Sequence, residues 1–381
     1  MIANPFIISG KIDRKYFCDR KKESEELIRL LVNGHNIVLV SPRRMGKTGL
    51  IEFCYEDQRI KDKYYTFFID ILQTNTFSEF IFLLGKEIYK SLVPRSKKIA
   101  MGFVQALKSL SGKIGFDSIT GIPSFNIQLG DIKHPEITLE EIFNYLDNAE
   151  IRCIIAIDEF QQITNYPEKN IEAILRTHIQ HSSNCNFIFS GSRRHVLQEM
   201  FISTAKPFFN SATFMHLDAI PAEEYIDFIV RLFQERDKII SKENAGFIYD
   251  IFEGHTYYVQ RTCNEAFSCT LAGAECDRKL IESALNNILN TYSTIFREIL
   301  SQLPLKQKEL LYAIVGEGKA TGLSSEDFIR RHSLSSSSSV QSSLRMLLNK
   351  EIITRNENTY SLSDRFFQLW LHQMLYSFPT P

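Results

Sequence analysis

At 381 residues the chain exceeds the usual single-domain span of about 100 to 200 residues, so two or three domains are expected. Its composition, 44% hydrophobic and 23% charged, is that of an ordinary soluble globular protein. The 44 basic residues against 45 acidic ones leave a net charge of -1, which excludes a global pull toward nucleic acid and makes any basic patch local.

In chain order, Phe17-Cys18-Asp19-Arg20-Lys21-Lys22-Glu23 precedes a helix over 24–32, whose apolar residues recur at helical spacing until Asn33-Gly34 stops them. The apolar run Ile37-Val38-Leu39-Val40 then enters Ser41-Pro42-Arg43-Arg44-Met45-Gly46-Lys47-Thr48, and a helix can start at Thr48-Gly49. Strand, turn and helix in that order, with Gly-Lys-Thr at the turn, read as a phosphate-binding loop. Backbone N–H groups would surround a phosphate, Lys47 would reach the β/γ oxygens and the Thr48 hydroxyl would hold Mg²⁺. The pattern asks for glycine where Ser41 stands, so Ser41 is expected to carry a turn that glycine takes at no steric cost.

A second strand is predicted over 64–69 and a helix over 76–92, an alternation that implies a parallel α/β sheet. Residues 94–135 read as a hairpin-bearing insertion, with alternating runs at 113–119 and 124–129. After a helix over 137–149, the buried strand Cys153-Ile154-Ile155-Ala156-Ile157 ends in Asp158-Glu159-Phe160-Gln161. That ending places two carboxylates at the edge of the sheet where open α/β folds bind ligands. Asp158 would orient Mg²⁺ and Glu159 would polarise the attacking water. A helix N-cap followed by a first-turn acid is the bland alternative, and the Gly-Lys-Thr loop weighs against it.

The strand at 186–189 ends in Ser190-Gly191-Ser192-Arg193-Arg194, where Ser190, Ser192 or Arg193 could feel a γ-phosphate, with a solvated arginine pair as the competing reading. A fifth strand over 214–217 closes this part of the chain near Ile220-Pro221. Residues 222–299 carry helical stripes at 222–233, 242–252 and 257–272. Short helices at 306–315, 325–331 and 340–348, then strands at 352–355 and 359–362, make a winged helix. Between 324 and 355, Arg330, Arg331, Arg345, Lys350 and Arg355 stand against Glu326, Asp327 and Glu351, a weak footprint for DNA.

No apolar run approaches the ~20 residues that span a bilayer. The residues Met1 to Pro5 lack the features of a signal peptide, so a cytoplasmic protein is expected. Seven cysteines with no C-x-x-C pair suggest neither disulfides nor a zinc ribbon. The nearby Cys263, Cys269 and Cys276 are read as reduced, buried small apolar side chains.

These residues resemble the archaeal-type ATPase family of the STAND class, relatives of the AAA ATPases. The resemblance rests on Phe17, Asp19, Arg20 and Glu23, on the loop Pro42-Arg43-Arg44-x-Gly46-Lys47-Thr48, and on Asp158-Glu159-Phe160-Gln161. It extends through Gly191-Ser192, Gly254-His255 with Tyr257-Tyr258, and Leu362-Ser363-Asp364-Arg365-Phe366-Phe367.

It implies an α/β P-loop sheet of order 5-1-4-3-2 in residues 1–221, a helical lid over 222–300 and a winged helix over 301–381. It further implies an ATP-dependent switch using ATP and Mg²⁺, with Lys47 and Glu159 catalytic and Thr48 and Asp158 at the metal. Ser41, Arg44, Met45, Gly46, Lys47, Thr48, Gly49, Phe17, Arg20, Ser192 and Arg193 would contact nucleotide. A protein partner through the winged helix or the insertion is expected, and an oligomer is compatible; the alternative is a DNA-binding regulator with a vestigial nucleotide site. Thr256 replaces the proline of the family's Gly-x-Pro, and Ser211 falls where relatives often carry arginine.

Overall fold

The computed structural model describes residues 4–8, 10, 14–18, 20–110, 115–116, 123–124 and 128–376. Asp19 and most of the runs expected at 113–119 and 124–129 lie outside the described residues, although Gly115–Phe116 and Pro123–Ser124 pair antiparallel. The chain divides into two compact units, Lys11–Ile220 and a second one formed by Met1–Gly10 with Pro221–Pro381.

The first unit is built on five parallel strands: β1 Ile37–Val40, β2 Tyr64–Asp70, β3 Arg152–Asp158, β4 Cys185–Gly191 and β5 Thr213–His216. Their order across the sheet is β2-β3-β4-β1-β5, which is the expected 5-1-4-3-2 read from the other edge. Every residue of β1 and β4 is buried, because helices cover both faces. Successive side chains point to opposite faces, so Val38, Val40, Phe67, Ile155, Ile157, Phe187 and Phe189 pack on one side, against helices Phe77–Leu92, Pro135–Asp147 and Ile171–His181. Ile37, Leu39, Ile154, Ala156 and Ile188 pack on the other, against helices Lys21–Val32 and Lys47–Tyr55.

The segment read as an irregular insertion contains a helix, Lys97–Ala106, which starts on the Ser96 cap and buries Ala100, Phe103 and Val104 in the core. Gly102 disguises it in sequence, since glycine costs about 1 kcal/mol in a helix interior. A Cβ there would lie 3.8 Å from the Tyr145 ring, an ordinary van der Waals contact, so nothing in the structure explains the glycine.

In the second unit, helices Ala222–Gln234, Lys242–Ile251, Thr256–Cys269 and Arg278–Ser301 precede a winged helix. The latter consists of helices Leu305–Glu317, Glu326–Arg331 and Ser337–Asn349 with strands β6 Ala320–Thr321, β7 Ile353–Asn356 and β8 Thr359–Leu362, antiparallel in the order β6-β8-β7. A further helix not anticipated from the sequence, Arg365–Tyr376, joins the two parts. Phe366 packs edge-on to Phe252 and Tyr258 and stacks on Tyr292, while Glu253 bonds Lys319 at 2.6 Å and Arg365 at 3.3 Å. The segment expected to open the nucleotide domain also belongs here: Asn4 Nδ2 donates to Asn264 O at 2.8 Å and Phe6 is fully buried against Phe233 and Phe267. Thr256 is the first residue of its helix, a position where proline is favoured for its fixed φ, so threonine keeps the helix start without the ring.

All seven cysteines are free; six are buried, and Cys269 alone is exposed, contrary to the expected burial.

Candidate functional site

The loop between β1 and helix Lys47–Tyr55 lies at the carboxyl edge of the sheet. Its left-handed residues are Arg44 (φ 65°) and Gly46 (φ 91°), and Ser41 is not among them. The turn therefore does not ask Ser41 for a glycine conformation, and the expected steric difficulty at this position does not arise. Ser41 is buried, and its hydroxyl donates to Pro42 O at 3.0 Å. Gly46, in contrast, is the left-handed N-cap of the helix, where a side chain would be strained.

Lys47 is 7% exposed, with its ammonium 3.4 Å from Ser41 O, Ser41 Oγ and Pro42 O. Burial pushes its pKa below the ordinary value, and the charges of Asp158 and Glu159 draw it part of the way back. A buried cation held by three uncharged oxygens at the mouth of a helix suits an anionic ligand. Thr48 Oγ1 donates to Asp158 Oδ2 at 3.2 Å. The other oxygen of Asp158 accepts from Ser190 Oγ at 2.6 Å and from Glu159 N at 3.0 Å. Ser190 is fully buried beneath the carboxylate, so it orients Asp158 rather than reaching outward.

Glu159 is left-handed (φ 56°) at the end of β3, and the next residue, Phe160, is anchored in the core. Phe160 is fully buried among Phe189, Phe201 and Phe208, at centroid distances of 4.6, 6.1 and 5.4 Å. Glu159 Oε2 accepts from Ser192 Oγ at 2.9 Å, from Ser192 N at 3.3 Å and from the side-chain amide of Gln161. Ser192 in turn accepts from Arg43 Nε at 3.2 Å. The strand-end serine thus connects the loop to the second carboxylate. Arg193 is the half-buried N-cap of helix Arg194–Ile202.

Phe17 and Arg20 stand behind the loop. Phe17 stacks on Phe53 of the loop helix at 4.4 Å. Arg20, 3% exposed, donates to Met45 O at 3.0 Å, Asp218 O at 2.9 Å and Glu23 Oε1 at 2.9 Å. Its guanidinium fork fixes the carbonyl just before Gly46 to the chain leaving β5. Met45 is buried, Gly49 half-buried and Arg44 exposed. Ser211 closes a local turn, its hydroxyl donating to Phe208 O at 2.7 Å.

Two neighbours are not visible as site residues in sequence. Asp70 is the register partner of Asp158 on the adjacent strand. Desolvation pushes its carboxyl up, Asp158 and Glu159 push it further, and the Leu72 N–H opposes them. Gln161 stands out in sequence only as part of a motif. In the fold its amide lies on the second carboxylate.

Two family models match the chain. Residues 17–262 match the model of an ATPase domain predominantly from Archaea, and residues 294–373 match that of a probable winged helix domain. An uncharacterized ATP-binding protein of Methanocaldococcus jannaschii is 28% identical over 163 residues, covering 40% of this chain and 45% of the relative. A second one from the same organism is 24% identical over 167 residues, 39% and 44% of the two chains. The chain thus spans less than half the length of these curated relatives.

Among solved structures, a Walker-type ATPase of Pyrococcus abyssi aligns over 97% of this chain and 99% of its own, with a TM-score of 0.66 at 16% identity. The ORC2 protein of Aeropyrum pernix, solved as ADPNP–ADP complexes, aligns over 98% of both chains with a TM-score of 0.57 at 15% identity. At such identities these likenesses speak to fold. The family match covers all five strands of the sheet, the loop and the carboxylate pair, and the chain belongs to the family of ATPase domains found predominantly in Archaea.

Proposed function

We propose that the protein binds ATP with Mg²⁺ at the loop 41–48, hydrolyses it slowly or under a partner's control, and passes the nucleotide state to its C-terminal unit as a cytoplasmic switch of the STAND type. The observation that carries this reading is the 3.2 Å approach of Thr48 Oγ1 to Asp158 Oδ2, with Lys47 and Glu159 beside them. A hydroxyl and a carboxylate are hard oxygen donors suited to Mg²⁺, which commonly takes one or two carboxylates and completes its shell with water and phosphate. Among the described residues no group of three or more His, Cys, Asp or Glu side chains forms a metal cage of its own. When bound, the ion neutralises phosphate charge.

The chain's own groups supply the rest. Lys47 and the N–H groups that open its helix take phosphate oxygens. Glu159 accepts the proton of an attacking water; its three hydrogen bonds converge on Oε2 and none of them uses Oε1. Arg20 and Phe17 act from behind, fixing the loop and its helix, rather than on the nucleotide. The Phe366 packing and the Glu253 ion pairs support a helical lid and winged helix that respond together.

The DNA-regulator alternative gains little. Two of the five winged-helix cations counted in sequence are engaged by acids, Arg330 by Asp327 at 3.4 Å and Arg331 by Glu317 at 2.7 Å. A protein partner at the winged helix or the 94–135 segment remains our reading.

Equilibrium binding of ATP with Mg²⁺ or with excess chelator tests the proposal. Wild type is expected to bind in a metal-dependent way and Lys47→Ala to lose at least tenfold in affinity; equal binding by both proteins contradicts it.

A further inference from the structure

We propose that Gln161 is a positioning residue for Glu159, and that Gly191 is bare so that Gln161 can be seated. The proposal rests on the hydrolytic reading above and concerns a residue which that reading does not use. Gln161 is 5% exposed, in the tight turn Phe160–Asn165 that comes after Glu159. The turn is braced on both sides: Thr164 Oγ1 donates to Gln161 O at 2.8 Å, and Gln162 Nε2 donates to Thr74 O at 2.9 Å. From this fixed base the Gln161 amide donates to Glu159 Oε2, the same oxygen that Ser192 holds.

The other end of the side chain is what singles the residue out. Gln161 Oε1 is buried with no hydrogen-bond partner, packed against Gly191, where a Cβ would overlap Oε1 and come within 2.9 Å of Leu197 Cδ1. An unpaired buried carbonyl is unfavourable, and a methionine of similar volume would fill the space without that cost. A glutamine here is accounted for by its amide. With Ser192 it fixes Glu159 Oε2 and leaves the other carboxylate oxygen to face a water.

The test compares Gln161→Met, which keeps volume and removes the donor, with Gln161→Glu, which keeps the shape and replaces the donor by a carboxylate. For both, kcat for ATP is expected to fall at least tenfold while the directly measured ATP affinity stays within twofold of wild type. Gln161→Met is expected to melt no lower than wild type, and its crystal structure to show the Glu159 carboxylate moved off Ser192. A packing role predicts the opposite pattern, a lower melting temperature with kcat retained. Full turnover in both variants, alongside an inactive Glu159→Gln protein, overturns the proposal and leaves the hydrolytic reading standing. Full turnover in Glu159→Gln overturns the hydrolytic reading itself.

Discussion

Thr48 Oγ1 lies 3.2 Å from Asp158 Oδ2, although the two residues are 110 positions apart in the chain. The contact exists because β1 and β3 both flank β4, so the loop leaving one strand and the acid ending the other meet over Ser190. If this pair holds Mg²⁺, Thr48→Ala should remove the metal-dependent part of the thermal stabilisation by ATP, and Thr48→Ser should retain it. A ligand at a hundredfold excess over its Kd adds roughly 2.7 kcal/mol, a shift easily read by melting. Equal stabilisation of Thr48→Ala with and without chelator would count against the assignment.

Arg20 offers a test of loop positioning from behind. Lysine keeps the charge but cannot span Met45 O, Asp218 O and Glu23 together. Arg20→Lys is expected to lose about 2 kcal/mol of stability and roughly tenfold in ATP affinity. Denaturant unfolding and equilibrium binding measure the two effects, and an unchanged affinity would show that the loop does not need the clamp.

Phe160 anchors the turn that follows Asp158 and Glu159 in the core. Phe160→Ala should destabilise the first unit by about 3–5 kcal/mol, the range for deleting a buried ring, whereas Phe160→Leu should cost far less. A small loss for alanine would mean that the turn after Glu159 is held by its hydrogen bonds alone.

The second unit carries a pH response at His255. Burial, then the neighbouring charge of Arg365, push its pKa from 6.5 down to about 4. Between these values the unfolded chain takes up a proton that the folded one refuses, so stability falls as pH drops through 6.5 and the loss is complete below about 4. The contribution is up to about 3 kcal/mol. Unfolding measured from pH 7 to pH 4 should show a smaller acid loss for His255→Gln than for wild type; parallel curves would contradict this.

The parts of the fold legible in sequence were those with continuous burial. β1, β3 and β4 read as apolar runs because helices cover both of their faces, and Gly-Lys-Thr and Asp-Glu stand at their ends. What was not legible depends on geometry across strands. Asp70 gains its place from register with Asp158, and Gln161 from the left-handed turn at Glu159. Ser190 and Ser192 look equivalent as sensors in sequence, yet the first is buried under Asp158 and the second grips Glu159. The helix at Lys97–Ala106 is masked in sequence by Gly102 in its interior.

We propose that the loop and the carboxylate pair form one working ATPase site. This is tested most directly by Mg²⁺-dependent ATP turnover and binding in wild type, Lys47→Ala and Glu159→Gln, each first freed of bound nucleotide. Turnover is expected in wild type, loss of both binding and turnover in Lys47→Ala, and loss of turnover with binding kept in Glu159→Gln. Turnover in Glu159→Gln at the wild-type rate, or no metal-dependent binding in wild type, would contradict it.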